Sequence, residues 1–131
     1  MDIKSAITRL LVSDLEACFL FYRDVMEFKV NVEAIEDGYA EFEAAEMKFA
    51  LFRRQEMAEF VGTSDKPLQA DCQDRMGLIF TVRDLDKTYH ELRSKGVNFS
   101  TEPMGNPYYG IKTAYLRDPD GTLIGLFQFL V

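Results

Sequence analysis

The sequence predicts an α+β fold made of two βαβββ modules, which pair their sheets and carry their helices on the outer face. Two observations predict this fold. The order strand, helix, three strands occurs twice, and the junction Val12-Ser13-Asp14-Leu15 returns as Val82-Arg83-Asp84-Leu85. The length of 131 residues, 47% of them hydrophobic, suits one well-buried core. We therefore predict a single domain, with module one at about residues 1–61, a linker at about 62–75 and module two at about 76–131.

The first strand and helix of module one follow from periodicity. Residues 5–12 alternate as a strand does, with Ile7, Arg9 and Leu11 on one face. Ser13-x-x-Glu16 matches a capping box, which predicts a helix start. The apolar residues that then recur at helical spacing are Leu15, Cys18, Phe19, Tyr22 and Met26. We expect an amphipathic helix that covers a sheet.

Three more strands complete module one, at Lys29–Ala34, Tyr39–Glu43 and Met47–Arg53, and a turn at Ala45-Glu46 joins the last two. This register sets Glu43 opposite Lys48 as a favourable cross-strand pair. It also separates two faces. One carries Ala40, Phe42, Phe49 and Leu51, and the other carries Tyr39, Glu41, Glu43, Lys48, Ala50 and Phe52. A short helix at Gln55–Val61 and a polar linker at Gly62–Arg75 follow.

Module two begins with a strand at Gly77–Val82 and a helix capped by Asp84. The apolar stripe of this helix is Leu85, Tyr89 and Leu92, and Lys95-Gly96 ends it. The sequence next predicts an extended segment at Val97–Thr101 and a loop at Pro103–Pro107.

The last two strands, Ile111–Leu116 and Thr122–Phe129, are joined by the turn Asp118-Pro119-Asp120-Gly121. Pro119 fixes φ early in the turn, and Gly121 can adopt the positive φ that closes a type I turn with a bulge. The resulting pairing places Tyr115 opposite Gly125 and Thr113 opposite Phe127.

Composition and charge argue against several classes of function. A net charge of −7 disfavours binding to nucleic acid or to an anionic membrane, and no apolar run reaches the roughly 20 residues that span a bilayer. The N-terminal residues lack the pattern of a signal peptide, so we expect a cytoplasmic protein. Cys18 and Cys72 have no metal or redox spacing and are interpreted as plain thiols. The single histidine, His90, is predicted to point outward from its helix.

Three stretches resemble a known family. They are Leu11-Val12-Ser13-Asp14-Leu15, Phe21-Tyr22-Arg23-Asp24-Val25-Met26-Glu27-Phe28 and Asp118-Pro119-Asp120-Gly121-x-x-Ile124-x-Leu126. The chain resembles the vicinal oxygen chelate superfamily of glyoxalases, extradiol dioxygenases and bleomycin-resistance proteins. The resemblance implies a cup made of paired βαβββ modules, often completed in a homodimer.

In the metal-dependent members of this superfamily, four side chains, usually His, Gln or Glu, hold a divalent ion. The matching positions here are Ile7, Ala50, Gly77 and Gly125. None has a side-chain donor atom, and metal ions in proteins need oxygen, nitrogen or sulfur ligands. We therefore expect no metal and no other cofactor.

The residues expected to face the cup form a candidate small-molecule site, because aromatic walls with a few polar groups are typical of such sites. They are Arg9, Tyr39, Glu41, Phe52, Ile79, Thr81, Thr113, Tyr115, Gly125 and Phe127. Several alternatives stay open: Phe52, Ile79 and Phe127 as core or dimer contacts, and Arg9 and Glu41 as a mutual salt bridge. The strand glycines leave space either for a ligand or for packing. Tyr108-Tyr109 is a candidate aromatic lip.

The leading interpretation is a metal-independent binding protein, similar to the bleomycin-resistance type, for an aromatic or amphipathic ligand. Glu41 and the acidic composition would suit a cationic ligand. The alternative is an enzyme of the same fold, either an acid/base isomerase or lyase with Glu41 as its base and Tyr115 or Arg9 stabilising negative charge, or a metal-dependent glyoxalase or dioxygenase. A small-molecule ligand and a homodimer are the expected partners.

Overall fold

The computed structural model describes residues 1–68, 72–106 and 110–130. The chain forms two compact units, Met1–Asp71 and Cys72–Val131. Each unit contains one four-stranded mixed sheet and at least one helix, which confirms the predicted α+β class and the twofold order of strand, helix and three strands.

The first unit contains four strands and two helices. The strands are β1 (Thr8–Val12), β2 (Lys29–Ala34), β3 (Tyr39–Ala44) and β4 (Met47–Arg53), and the helices are α1 (Leu15–Leu20) and α2 (Arg54–Val61). A π-helical turn at Phe21–Val25 extends α1, and a 3₁₀ turn at Ile35–Asp37 precedes β3. The sheet order is β1-β4-β3-β2, with β1 parallel to β4. Glu43 lies opposite Lys48, so the predicted register is confirmed.

An aromatic cluster forms the core of the first unit. Tyr22, Phe42 and Phe49 are fully buried. The centroid of the Phe49 ring lies 5.1 Å from that of Tyr22 and 5.6 Å from that of Phe42. Phe19 of α1 also packs on Phe42, at 5.5 Å. One face of the sheet is therefore covered by α1 and the turn that follows it.

The start of α1 differs from the prediction in its capping residue. The side chain of Asp14, not that of Ser13, accepts a hydrogen bond from the backbone N–H of Ala17 at 3.0 Å. The capping-box assignment to Ser13 and Glu16 is therefore wrong by one position. Asp84 caps the helix of the second unit in the same way, through the N–H of Lys87 at 3.1 Å. Aspartate thus begins the helix in both units.

The second unit contains four strands and one helix. They are β5 (Gly77–Thr81), α3 (Leu85–Ser94), β6 (Met104–Asn106), β7 (Ile111–Arg117) and β8 (Leu123–Phe129). The sheet order is β5-β8-β7-β6, which repeats the topology of the first sheet. The inward residues of α3 are the predicted Leu85, Tyr89 and Leu92, all buried, and α3 contacts β7 and β8.

One predicted strand is wrong. The edge strand β6 is Met104–Asn106, which the sequence predicted as loop, whereas Val97–Thr101 forms only an isolated bridge from Phe99 to Leu116. The ring of Phe99 instead packs on Tyr89, with centroids 4.6 Å apart. The hydroxyl of Thr101 accepts from the Tyr115 backbone N–H at 3.0 Å. The backbone N–H groups of Ser100 and Thr101 both donate to the Tyr115 carbonyl, at 2.8 and 3.3 Å. The segment therefore contacts β7 through irregular hydrogen bonds and not through a ladder.

The final hairpin has the predicted turn. Gly121 has a φ of 92°, and its N–H donates to the Asp118 carbonyl at 3.0 Å. The carboxylate of Asp118 is buried and accepts from the backbone N–H groups of Asp120 and Thr122, at 2.9 and 2.8 Å. The structure thus adds a side-chain contribution to a turn that the sequence explained by Pro119 and Gly121 alone.

The histidine, the two cysteines and the linker can also be compared with their predictions. His90 is exposed, as predicted. Cys18 is buried and Cys72 is exposed, and no disulfide joins these two described residues. The described parts of the linker, 62–68 and 72–75, contain neither helix nor strand, while 69–71 and the candidate lip Tyr108-Tyr109 lie outside the described residues. Within the described ranges, no helix is both long and apolar enough to cross a bilayer.

Candidate functional site

Each sheet has a distal face, defined here as the face opposite the one on which α1 or α3 packs. Side chains alternate between the two faces of a strand, so the neighbours of the core residues Phe42 and Phe49 belong to the distal face. Four of the predicted binding residues lie on the distal face of the first sheet: Arg9, Tyr39, Glu41 and Phe52. The other six lie on the distal face of the second sheet: Ile79, Thr81, Thr113, Tyr115, Gly125 and Phe127.

The distal face of the first sheet centres on Arg9. Its guanidinium carbon lies 4.8 Å from the centroid of the Phe52 ring and 5.7 Å from that of Tyr39. The strand register explains this contact, because Arg9 pairs with Ala50, whose methyl side chain leaves the neighbouring rings of β3 and β4 within reach. Arg9 itself is exposed. The arrangement holds a cation over two aromatic rings, which is a favourable contact.

Glu41 pairs with Tyr39 and not with Arg9, the salt-bridge partner considered from the sequence. The Tyr39 hydroxyl donates a hydrogen bond to its Oε1 at 2.9 Å. Burial and this hydrogen bond raise the pKa of Tyr39 above its usual value. No ion pair joins Arg9 and Glu41, both of which lie in the described part of the chain. The mutual salt bridge that the sequence left open is therefore absent, and Tyr39 contacts both groups instead.

Phe60 on α2 is a further candidate binding residue, which could not be predicted from the sequence. Its ring lies 6.3 Å from that of Phe52, yet 78% of the residue is exposed. A large aromatic side chain that is both exposed and adjacent to another ring extends the apolar surface next to Arg9. The sequence predicted the helix at Gln55–Val61 but had no signal for which of its side chains meets the distal face.

The distal face of the second sheet is mostly apolar. The ring of Phe127 packs on that of Tyr115 at 87°, with centroids 6.0 Å apart. Thr81 and Thr113 flank Phe127 on the neighbouring strands. Ile79 is half exposed. The predicted neighbours of this face are confirmed: Tyr115 opposes Gly125, and Thr113 opposes Phe127.

Gly125 does not leave open space. A Cβ atom added at this position would lie 2.8 Å from Cδ1 of Ile79 and 3.0 Å from ring carbons of Tyr115 and Phe127. Of the two explanations weighed for this glycine, packing is therefore the one that its surroundings support. Three side chains from its own unit occupy the volume in which a longer residue would stand.

We expect Gly125→Ala to lower the free energy of unfolding by about 1 kcal/mol, because the new methyl group must displace two ring carbons and the half-exposed end of Ile79, the last of which moves at little cost. Urea unfolding followed by circular dichroism measures the change. Gly77→Ala is the matched control: its added Cβ would meet only Leu123 atoms at 3.6 Å or more, an ordinary contact, so its effect should stay within about 0.5 kcal/mol. Equal effects of the two substitutions would contradict the packing explanation.

The residues at the four family positions do not fit a metal ion. Ile7 is 45% exposed, Ala50 is fully buried, and neither glycine has a side chain. On the same faces, Arg9 and Lys48 lie two positions from Ile7 and Ala50, and Thr81 lies four positions from Gly77. A cation or a lone hydroxyl is a poor ligand. Across the described ranges, no three His, Cys, Asp or Glu side chains group closely enough to hold a metal. The donor set therefore does not fit the ion that the fold family implies.

Comparison with known proteins identifies relatives over nearly the whole chain. The model of a family described as the Glyoxalase/Bleomycin resistance protein/Dioxygenase superfamily matches residues 5–126. A protein of Bacillus subtilis (strain 168), named uncharacterized protein YraH, is 37% identical over 122 residues, which cover 93% of this chain and 95% of that protein.

Solved structures share the fold. A glyoxalase/bleomycin resistance protein/dioxygenase from Nocardioides matches with a TM-score of 0.76 at 23% identity, covering 99% of this chain and 87% of its own. A family enzyme from Burkholderia phytofirmans PsJN has a TM-score of 0.78 at 19% identity, over 95% and 97% of the two chains. A lactoylglutathione lyase from Agrobacterium tumefaciens has a TM-score of 0.70 at 19% identity, over 98% and 96%.

Proposed function

Since the chain belongs to the Glyoxalase/Bleomycin resistance protein/Dioxygenase superfamily, we propose that it binds a small aromatic or amphipathic molecule without a metal ion. The proposed binding residues lie on the distal faces of the two sheets, and each face is considered by itself. Membership alone does not select this function, because one fold hosts many activities. The residues of the faces support it.

The observation that carries the proposal is the cluster of Arg9, Tyr39, Glu41 and Phe52. It combines two aromatic rings, a cation that stacks on them and a carboxylate that accepts from the Tyr39 hydroxyl. Apolar surface with a few oriented polar groups is the usual composition of a small-molecule site. The rings supply contact area, and the polar groups can fix the orientation of a ligand.

Metal independence is proposed from the chemistry of the family positions. Ile7, Ala50, Gly77 and Gly125 supply no donor atom, and the volume above Gly125 is occupied by its neighbours. Binding is therefore assigned to stacking and hydrogen bonding by the chain itself. Elemental analysis of purified, untagged protein that found near-stoichiometric zinc, nickel, iron or manganese would count against this part of the proposal.

Titration calorimetry against a panel of planar aromatic and amphipathic compounds tests binding. We expect saturable binding of at least one compound, weakened about tenfold or more by Phe52→Ala, because a buried aromatic contact is worth roughly 1–3 kcal/mol. Leu20→Ala on α1 is the control, since Leu20 is 40% exposed and lies on a helix that packs against the opposite face. The absence of saturable binding to every compound would refute the proposal.

We also propose that the protein is a cytoplasmic homodimer. The dimer is what the family resemblance implies, and membership of the superfamily likewise favours the cytoplasm. Native mass spectrometry of purified protein should give the mass of two chains and would show any retained small molecule in the same spectrum. Cell fractionation checks the location.

A further inference from the structure

The charge of the bound molecule can be inferred from which charged groups of the first sheet's distal face lack an ionic partner. This inference rests on the proposed function. Glu41 suggested a cationic ligand from the sequence, but one of its carboxylate oxygens already accepts from Tyr39. Arg9 is the group that has no carboxylate partner among the described residues, although it lies on the same face. Glu41 has no cationic partner among those residues either, but it is half-buried and its Oε1 is held by Tyr39, whereas Arg9 is exposed. The more accessible charge on this face is therefore a cation.

The position of Arg9 suits a planar anion. Its guanidinium rests on the Phe52 ring at 4.8 Å and also interacts with the Tyr39 hydroxyl. A guanidinium carries five N–H donors in one plane, so donors remain for a ligand. A guanidinium restrained in this way loses less rotamer freedom on binding than a free one, and its fork matches the two oxygens of a carboxylate. No ion pair joins Glu41 to Arg9, both of which lie in the described part of the chain, so Glu41 does not occupy this fork.

The surroundings of Arg9 suit an aromatic body attached to that carboxylate. Phe52 lies beneath the guanidinium, and the exposed ring of Phe60 follows at 6.3 Å. A flat ring whose acid group contacts Arg9 would reach these two rings and remove apolar surface from water. We infer that the distal face of the first sheet binds an aromatic carboxylate, with Arg9 as the carboxylate anchor and Phe60 as a contact for the aromatic body.

Three probes that share one ring system test the inference: naphthoate, naphthamide and naphthylmethylammonium, each titrated by calorimetry into the whole protein. We expect naphthoate to bind about tenfold more tightly than naphthamide, because a hydrogen bond to a charged group contributes more than one to a neutral group. The ammonium probe should bind most weakly, since its charge has the same sign as that of Arg9.

Variants assign the effect to particular side chains. Arg9→Met should weaken naphthoate more than naphthamide and so remove the preference between them, and Arg9→Lys should keep part of that preference, because lysine keeps the charge but lacks the fork. Phe60→Ala should weaken all three probes alike. The control is Arg83→Met, the same substitution at an exposed arginine of the second unit, which should change none of the affinities.

The outcomes separate the inference from the proposed function. Tightest binding of the ammonium probe, or a naphthoate preference that survives Arg9→Met, would overturn the assignment of a carboxylate to Arg9 while small-molecule binding stands. Failure of all three probes to bind wild-type protein would overturn the inference, and extending that failure to the wider panel would refute the proposed function as well. Circular dichroism spectra matching wild type confirm that the variants are folded.

Discussion

Phe49→Ala is expected to lower the free energy of unfolding by about 3–5 kcal/mol, the range for removing a buried aromatic side chain. Phe49 is fully buried, and its ring contacts those of Tyr22, Phe28 and Phe42 with centroids 5.1–5.9 Å apart. Its removal exposes apolar surface and leaves a cavity among rings that belong to both the sheet and the helical segment. The cavity adds to the lost transfer free energy because packed rings relax only partly.

Phe60→Ala is the matched control for this prediction, because it deletes the same atoms from a residue that is 78% exposed. Urea unfolding followed by circular dichroism should give a change within about 0.5 kcal/mol for Phe60→Ala. The two variants also separate stability from binding: Phe60→Ala is expected to weaken the aromatic probes, whereas Phe49→Ala acts on the core. A loss at Phe49 no larger than that at Phe60 would contradict the described aromatic core.

Most of the fold could be predicted because its signals are local. Alternating polarity fixed the faces of β3 and β4, and the pair of Glu43 and Lys48 follows from a turn of known length. The two wrong predictions concern side-chain hydrogen bonds to the backbone. Asp14 rather than Ser13 caps α1, and the Thr101 hydroxyl accepts from the Tyr115 backbone N–H where a strand was predicted. Spacing alone does not distinguish such neighbouring candidates.

The residues of the distal faces could be predicted, but not their contacts. Strand register determines which positions are neighbours, and it placed Tyr115 opposite Gly125. Glu41 accepts a hydrogen bond from Tyr39 and forms no ion pair with Arg9, which the structure also describes. This pairing depends on side-chain rotamers, which cannot be predicted from the spacing of residues in the sequence. The filling of the volume above Gly125 depends likewise on the reach of Ile79 and two rings. Phe60 was missed because its contact joins a helix to a strand.

Asp118→Ala is expected to lower the free energy of unfolding by about 2–4 kcal/mol. Asp118 is 4% exposed, and one carboxylate oxygen, Oδ1, accepts from two backbone N–H groups, those of Asp120 and Thr122. A hydrogen bond to a charged group contributes about 1.5–3 kcal/mol, and part of the loss is recovered where water reaches the freed donors. The turn sets the register of β7 against β8, so loosening it also disturbs the face that carries Tyr115 and Phe127.

Two further variants define the origin of this loss. Asp118→Asn keeps one acceptor oxygen and should lose roughly half as much, because a neutral amide oxygen makes weaker hydrogen bonds than a carboxylate. Asp65→Ala removes an exposed carboxylate from the first unit and should change stability by less than about 0.5 kcal/mol. Urea unfolding of all three variants provides the comparison. If Asp118→Ala matched Asp65→Ala, the turn would be held by Pro119 and Gly121 without the buried carboxylate.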